Sequence, residues 1–157
     1  MNASNIIILP FHPCYQPSFK ALNEAWISQY FKMEEPDFKS LDYPQKTILD
    51  LGGKILVALI EEEVVGVCAL IKMKDPIYDY ELAKMAVSSA HRGQGIGESL
   101  GKAILSLARE LGSKNVYLES NRKLEPAIHL YKKLGFREVI HRKSPYERAD
   151  IMMEIWF

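Results

Sequence analysis

The sequence predicts a single domain with a mixed α/β fold, and three observations lead to this prediction. The chain has 157 residues, which is the size of one ordinary domain with a substantial core. Short apolar, β-branched runs alternate along it with amphipathic segments of helical spacing. Pro and Gly mark the boundaries between these segments, and no linker or internal repeat separates them. The composition, with 48% hydrophobic and 25% charged residues, is typical of a globular protein.

The first elements are predicted to be one short strand and two helices. Ile6 to Leu9 is a β-branched run that is typical of a strand. After three prolines, apolar residues at helical spacing predict a helix from about residue 18 to 31. We interpret Met33 to Asp37 as an acidic connection, interrupted by a proline. A second helix is predicted to follow Pro44 and to end at Gly52-Gly53.

Three strands are predicted next. Ile55 to Ile60 and Val64 to Lys72 are apolar runs joined across three glutamates, which indicates a hairpin. The third strand, Tyr78 to Val87, changes the phase of its alternation: Tyr78, Tyr80 and Leu82 hold one phase, and Met85 and Val87 the other. An extra residue near Ala83-Lys84 would be a β-bulge. A strand that begins later explains the pattern equally well.

Two helices and three strands complete the chain. Apolar residues at three- and four-residue steps predict helices over 96–111 and 124–134, each followed by a glycine, Gly112 and Gly135. The remaining predicted strands are Asn115 to Asn121, Phe136 to Ile140 and Ile151 to Phe157.

A glycine-rich turn precedes the first of these two helices and reads Arg92-Gly93-Gln94-Gly95-Ile96-Gly97. Glycines permit positive φ and expose successive N–H groups, and a helix N-terminus adds unpaired donors, so the turn indicates an anion site. The alternative is a tight turn whose glycines only permit a chain reversal. The residues after Gly97 exclude a P-loop, and the glycine spacing does not fit the dinucleotide fingerprint.

Charge and cysteine content restrict the function further. Twenty basic and twenty acidic residues give a net charge of zero, so nothing global favours nucleic acid or an anionic membrane as a partner. Cys14 and Cys68 are too few for a disulfide framework. The four histidines lack paired metal spacing, so no metal is expected: His12, His91, His129 and His141. Without a signal-like or membrane-spanning segment, we expect the cytoplasm.

The sequence resembles the GNAT superfamily of N-acetyltransferases, whose cofactor motif is Q/R-x-x-G-x-G/A. Arg92, Gly95 and Gly97 match that motif. The resemblance extends from about Lys54 to Phe157 and includes three further segments: Glu81 to Val87, Leu118 to Asn121, and Ala127 to Phe136. The first fifty residues match only loosely.

The resemblance implies a mostly antiparallel sheet of about six to seven strands with helices on both faces and a splayed, bulged central strand. Residues 1–53 would form acceptor-side helices, and residues 54–157 an acyl-CoA-binding core. The implied activity is transfer of an acetyl or short acyl group from acetyl-CoA to a primary amine, by direct attack in a ternary complex. The alternative is a non-catalytic acyl-CoA sensor or partner-binding module.

The same resemblance assigns donor-binding residues. Freed backbone groups of Met85, Ala86 and Val87 would bond the pantetheine arm. The amides from Gly93 to Gly97, which include those of Gln94, Gly95 and Ile96, would hold the diphosphate with help from Arg92. Asn121 would also bond pantetheine, although it is equally explained as a helix cap or turn residue.

Tyr131 and Glu81 are the implied catalytic residues. From its place on an apolar stripe, Tyr131 is a core tyrosine, but the family motif makes it the acid that protonates the leaving thiolate. Glu81 is the candidate base that takes a proton from the amine, with Glu119 as runner-up. A solvent-facing or paired carboxylate explains Glu81 equally well.

The acceptor itself is not identified by the sequence. Glu34, Glu35 and Asp37 lie where the family builds its acceptor pocket, and their charge would suit a cationic amine, although a solvated loop also explains them. The stretch Ser144 to Asp150 is a second segment that would reach the acceptor. A small molecule and a peptide are both open, and so is a homodimer paired through the last strand.

Overall fold

The computed structural model describes residues 5–140, 142–144 and 146–157. His141 and Pro145 therefore lie outside the described residues. The helices are α1 (Gln16–Tyr30), α2 (Glu35–Asp42), α3 (Ile96–Glu110) and α4 (Glu125–Leu134). The strands are β1 (Ile7–Pro10), β2 (Lys54–Ile60), β3 (Glu63–Lys72), β4 (Tyr80–Val87), β5 (Asn115–Ser120), β6 (Arg137–Val139) and β7 (Ile151–Trp156). None of the described helices is both long and apolar enough to cross a membrane.

The described strands form one sheet in the order β1-β2-β3-β4-β5-β7-β6. Neighbouring strands are antiparallel except β4 and β5, which are parallel. The parallel pair has a single register position, between Glu81 and Tyr117. Beyond that position the two central strands diverge. The mostly antiparallel, splayed sheet is confirmed, and β7 lies between β5 and β6 rather than in a tail.

The strand β4 contains the bulge. Val67 of β3 pairs with Ala86, whereas Ala69 pairs with Ala83, so β4 has one more residue than β3 over this stretch. Lys84 has φ of 54°, the left-handed conformation that residues with a Cβ rarely adopt. The phase change in the sequence therefore marks a true bulge, and β4 also begins later than expected, at Tyr80.

Helices pack on both faces of the sheet. One apolar cluster joins α3 and α4 to the sheet, with Leu100, Ile104 and Tyr131 among its buried members. The other joins α1 and α2 to the opposite face through Phe19 and Leu41, which are completely buried. The two layers hold the ends of α1 and α4 on either side of the divergence between β4 and β5.

The second helix was predicted in the wrong place. The acidic segment interpreted as a connection begins α2, and Pro36 stands in its first turn. Proline is tolerated there because backbone N–H groups of the first turn have no acceptor within the helix. The Glu34 amide donates to the Asp37 carboxylate at 2.8 Å, and the Asp37 amide donates to the Glu34 carbonyl at 2.9 Å. After Pro44 only a single π-helical turn forms, Gln45–Leu49.

Glycines end the two later helices as predicted. Gly112 follows α3 with φ of 82°, and Gly135 follows α4 with φ of 109°. Both conformations are left-handed and close a helix without a Cβ penalty. β5 starts three residues after Gly112, and β6 starts two residues after Gly135.

Candidate active site

A cavity of about 420 Å³ opens where β4 and β5 diverge. Its walls come from α1 (Trp26, Tyr30, Phe31), β4 (Glu81 to Val87), the glycine turn (Arg92, Gly97), the end of β5 (Glu119 to Asn121), α4 (Pro126, Ala127, Leu130, Tyr131) and the connection before β7 (Tyr146, Arg148, Ala149). Most of the residues predicted to bind the donor or to catalyse the reaction line this one space. It therefore brings together residues that are up to 123 positions apart in the chain, from Trp26 to Ala149.

The glycine turn has the geometry of an anion site. Gly93 and Gly95 have φ of 80° and 77°, and a Cβ at either would meet no atom within 4 Å. Only glycine adopts this conformation without strain, so the backbone shape rather than crowding requires it. Within the described residues, no hydrogen-bond acceptor is found for the backbone N–H groups from Arg92 to Glu98. These free donors stand at the N-terminus of α3.

The side chains around the turn leave these amides accessible. Gly93 and Gly95 are exposed, whereas Ile96 is 1% exposed and its side chain belongs to the core. The Glu98 carboxylate is paired with Lys102 at 3.0 Å and Lys133 at 2.9 Å. Hydrogen bonds from Lys133 and Lys102 lower the pKa of Glu98. The negative charge nearest the turn is therefore balanced by two lysines.

The bulged segment faces the start of α3. Met85, Ala86 and Val87 all line the cavity. A Cβ at Gly97 would lie 3.2 Å from the Leu130 side chain, 3.9 Å from that of Val87 and 4.0 Å from that of Met85. The missing side chain at Gly97 thus lets α3, α4 and β4 approach one another at the cavity wall.

Tyr131 presents its hydroxyl group to the cavity. The side chain is 9% exposed, and its ring packs edge-on against Phe136 with centroids 6.1 Å apart. Among the described residues its hydroxyl has no hydrogen-bond partner, yet no fully shielded side-chain nitrogen or oxygen there lacks one. The hydroxyl must therefore be accessible. Burial, with a smaller effect of Cys68, raises the pKa of Tyr131 well above its usual value, so the group keeps its proton.

Glu81 and Glu119 are two cavity carboxylates with different surroundings. Glu119 accepts hydrogen bonds on both oxygens, from Tyr117 at 3.0 Å and Ser144 at 2.6 Å. Glu81 has no hydrogen-bond partner among the described residues and is not fully shielded. Burial raises the pKa of Glu81 to about 8, the charge of Glu119 adds to this, and Lys84 opposes it. Glu81 is thus a carboxyl group that exchanges a proton near neutral pH.

Asn121 lines the cavity but uses its side chain within the protein. Its oxygen accepts from the Lys123 amide at 2.8 Å, and its nitrogen donates to the Arg148 carbonyl at 2.6 Å. This is the geometry of a turn residue that also anchors the connection before β7. A contact between Asn121 and pantetheine stays a prediction, and it would use the second N–H of this amide.

The acidic residues near α2 do not form a free site for a cationic amine. Asp37 is completely buried and accepts two hydrogen bonds of 2.7 Å from Arg148 and one of 3.0 Å from Lys84. Burial alone would raise the pKa of Asp37, but Arg148 and Lys84 outweigh it and lower the pKa to about 2. Glu34 also pairs with Arg148, at 3.4 Å. The interpretation as a solvated loop is therefore wrong for Asp37 and Glu34, whereas Glu35 is exposed, and the expectation that Asp37 attracts an amine is also wrong.

Aromatic side chains lie beside these charges. Trp26, Tyr30 and Phe31 come from the last turns of α1, and Tyr146 comes from the connection before β7. The Arg148 guanidinium stacks on the Tyr146 ring, 4.4 Å from its centroid, and lies 5.8 Å from that of Trp26. Tyr146, Arg148 and Ala149 of the stretch 144–150 thus line the cavity, and a contact with the acceptor stays a prediction.

Sequence reasoning missed Lys84 and the α1 aromatics as cavity residues. The sequence marks Lys84 only as the position of a bulge, whereas Arg148 belongs to the stretch Ser144 to Asp150 that was expected to reach the acceptor. Trp26 is one of the apolar residues at helical spacing that predict the first helix, and that stripe is expected to face the core. A single signal was available, because Glu34, Pro36 and Asp37 together fit a helix start.

Comparison with known proteins decides the family. Residues 19–136 match the family model described as the acetyltransferase (GNAT) family. The chain belongs to the GNAT family. The predicted family and the predicted class of acyltransferase are thereby confirmed at family level. The GNAT match includes α1, the bulged strand, the glycine turn and Tyr131.

Curated relatives with N-acetyltransferase names support this assignment. The chain is 36% identical to N-acetyltransferase 8F1 of Rattus norvegicus over 100 residues, which cover 62% of this chain and 45% of the relative. It is 32% identical to N-acetyltransferase 8B of Homo sapiens over 100 residues, covering 62% and 44%. The chain therefore spans less than half the length of these relatives.

Solved structures of the GNAT family share the fold. An acetyltransferase of the GNAT family from Staphylococcus aureus aligns with a TM-score of 0.84 at 20% identity, covering 95% of this chain and 97% of the other. A putative acetyltransferase from Salmonella typhimurium, solved with its cofactor acetyl-CoA, aligns with a TM-score of 0.76 at 18% identity, covering 98% and 94%. The predicted fold is confirmed.

Some expectations stay predictions. These are the division at residue 53, the cytoplasmic location and the individual roles of the site residues. Within the residues that the structure describes, no group of three or more His, Cys, Asp or Glu is placed to hold a metal ion. His141 lies outside that search.

Proposed function

We propose that this chain transfers an acetyl or short acyl group from acetyl-CoA to a primary amine by direct attack within a ternary complex. The observation that carries the proposal is the single cavity at the β4–β5 divergence. The Tyr131 hydroxyl and the unpartnered Glu81 carboxyl group line it, and the glycine turn with its free amides meets it at Arg92 and Gly97, although Gly93, Gln94, Gly95 and Ile96 are not lining residues. These are an anion site, a proton donor and a proton acceptor.

Donor binding rests on backbone groups. The amides from Gly93 to Gly97 would hold the diphosphate, since they have no other acceptor and the positive end of the α3 dipole favours anions. Arg92 lines the cavity beside them and adds a positive charge. The backbone of Met85 to Val87, which the bulge turns from the regular ladder, would bond the pantetheine arm.

The Tyr131 hydroxyl suits protonation of the leaving group. When the amine nitrogen bonds to the thioester carbonyl carbon, the carbon–sulfur bond breaks and the sulfur takes its electron pair. A proton donor close to the sulfur stabilises that charge. Because burial keeps the Tyr131 pKa high, its proton is present at the pH of the reaction.

Glu81 suits removal of a proton from the amine. An alkylammonium group must lose a proton before its nitrogen attacks, and a base is most efficient when its pKa lies near the working pH. A pKa of about 8 meets this condition. Glu119 is less suited because Tyr117 and Ser144 already occupy both of its oxygens.

A covalent enzyme intermediate has little support. Cys68 is completely buried, and burial raises the pKa of its thiol well above the usual range, so the nucleophilic thiolate is scarce. Cys14 is exposed and does not line the cavity. Direct attack needs no enzyme nucleophile, and alignment of amine and thioester can lower a barrier by about 7 to 11 kcal/mol.

Binding and turnover together test the proposal. Titration calorimetry should detect acetyl-CoA binding, and a panel of primary amines should release free thiol above the rate of hydrolysis. Absence of acetyl-CoA binding would overturn the proposal. Binding without thiol release from any amine would instead favour the acyl-CoA sensor.

A further inference from the structure

Lys84 combines an unusual backbone conformation with a buried charge. Its φ of 54° places it at the bulge, in a conformation that is unfavourable for any residue with a Cβ. Such a residue persists only when surrounding interactions compensate, and these residues concentrate at functional sites. The compensation at Lys84 comes from three segments that are distant in sequence.

The side chain of Lys84 contacts two of these segments. Its ammonium group donates to the Asp37 carboxylate in α2 and to the Tyr146 hydroxyl oxygen before β7, each at 3.0 Å. The side chain is only 6% exposed. Asp37 is held in turn by Arg148, so the ammonium meets a carboxylate that is already fixed.

The carbonyl group of Lys84 contacts the third segment. It accepts a hydrogen bond of 3.2 Å from the side-chain nitrogen of Asn23 in α1. Asn23 is completely buried, and the same nitrogen donates to the Phe19 carbonyl at 3.0 Å. The backbone at the bulge is therefore tied to α1 rather than to a neighbouring strand.

We propose that Lys84 is a positioning residue for the donor: held by Asp37, Tyr146 and Asn23, it fixes the bulge that aims the backbone of Met85 to Val87 into the cavity. This inference rests on the proposed function. It also couples the two ends of the cavity, because α2 and the connection before β7 lie on the acceptor side. A substitution at Asp37 should therefore alter donor binding, because it changes how Lys84 is held.

Three variants and one control test the role of Lys84. Lys84→Met keeps the length of the side chain but loses its charge, and we expect about tenfold weaker CoA binding by calorimetry. Lys84→Gly permits the bulge conformation without the charge, so its loss should be smaller. Lys84→Arg should restore part of the affinity. Lys54→Met removes an exposed lysine from β2 and should leave binding unchanged.

Kinetics separate positioning from a general loss of structure. The KM for acetyl-CoA should rise in Lys84→Met, whereas kcat at saturating donor should change by less than about threefold. A folded Lys84→Met variant with CoA affinity within about twofold of the wild type overturns the proposal. If Lys84→Met does not fold, the Lys84→Gly variant and the following cycle decide.

A double-mutant cycle tests the coupling. Asp37→Asn should weaken CoA binding in the wild-type protein, although Asp37 is not among the residues that line the cavity. The same change in the Lys84→Gly background should have little further effect on CoA affinity, because the Lys84 side chain that links Asp37 to the bulge is absent. Equal effects in both backgrounds overturn the coupling. Wild-type protein that binds no CoA would contradict the proposed function instead.

Discussion

The guanidinium group of Arg148 donates two hydrogen bonds of 2.7 Å, one to each carboxylate oxygen of Asp37, across 111 positions of the chain. The carboxylate is completely buried, and the Arg148 side chain is 12% exposed. Removing one partner from such a pair leaves the other charge buried without compensation. The pair therefore joins α2 to the connection before β7.

Asp37→Asn should destabilise the fold strongly. We expect a loss of about 3 to 5 kcal/mol in the free energy of unfolding, because Lys84 loses its carboxylate partner and Arg148 keeps only its longer contact with Glu34. Urea denaturation monitored by circular dichroism measures this. The control is Asp42→Asn, whose partner Lys20 lies 2.6 Å away in a pair whose side chains are 37% and 33% exposed. A surface pair contributes little, so equal losses in the two variants would contradict the prediction.

The same pair should make stability depend on acid. The pKa of Asp37 is lowered from 3.8 to about 2, so the folded protein holds the ionised form more strongly than the unfolded chain. Its contribution is complete above the unfolded pKa and is lost as the pH falls through the folded pKa. Unfolding measured between pH 5 and about 2 should show this loss in the wild type. Asp37→Asn should show a shallower dependence.

Tyr131→Phe should impair chemistry more than binding. Loss of the hydroxyl proton donor should lower kcat by about 10² to 10⁴. Calorimetry should give a CoA affinity close to that of the wild type, because the ring and its contact with Phe136 remain. Tyr43→Phe is the control, since Tyr43 is 63% exposed and does not line the cavity. A kcat unchanged by Tyr131→Phe would exclude Tyr131 as the acid.

The pH dependence of activity should report Glu81. As a base, Glu81 must be deprotonated, so kcat/KM should rise with pH up to an apparent pKa of about 8. Glu119 raises that pKa through its charge. Glu119→Gln should therefore move the rising limb to lower pH, while Glu81→Gln should remove it. A profile that keeps the same limb in Glu81→Gln would point to another base.

Gly95→Ala should separate backbone strain from ligand binding. Gly95 and Gly112 have φ of 77° and 82°, and a Cβ at either meets no atom within 4 Å. Alanine at either position should cost about 1 to 2 kcal/mol of stability, from the left-handed backbone alone. Only Gly95→Ala should also weaken CoA binding, because Gly112 ends α3 away from the cavity. Equal CoA affinities in the two variants would contradict the role of the turn.

Local patterns in the sequence predicted much of the donor side. The turn Arg92 to Gly97, the helix after it and the bulge at Lys84 each have a short-range cause: positive φ, a 3.6-residue period and a phase change. These causes lie within a few neighbouring residues. The resemblance to the family then supplied the identity of the donor.

The acceptor side was not predictable in the same way. The contact between Arg148 and Asp37 depends on how α2 packs beneath the connection before β7, and no local pattern encodes such a contact. A proline among acidic residues was interpreted as a break, although Pro36 is the first-turn proline of a helix. The charges of Glu34 and Asp37 were visible in the sequence, but their neutralisation was not.

The single register position between Glu81 and Tyr117 has a consequence for dynamics. Four strands lie on one side of that junction and three on the other, so two parts of the sheet are joined by a single paired position. Backbone amides of β4 and β5 that face the space between these strands lack strand partners there. They should exchange their hydrogens with solvent faster than the amides of β2 and β3. Hydrogen-exchange mass spectrometry can therefore map the space between β4 and β5, and a molecule that fills it should slow the exchange in both strands.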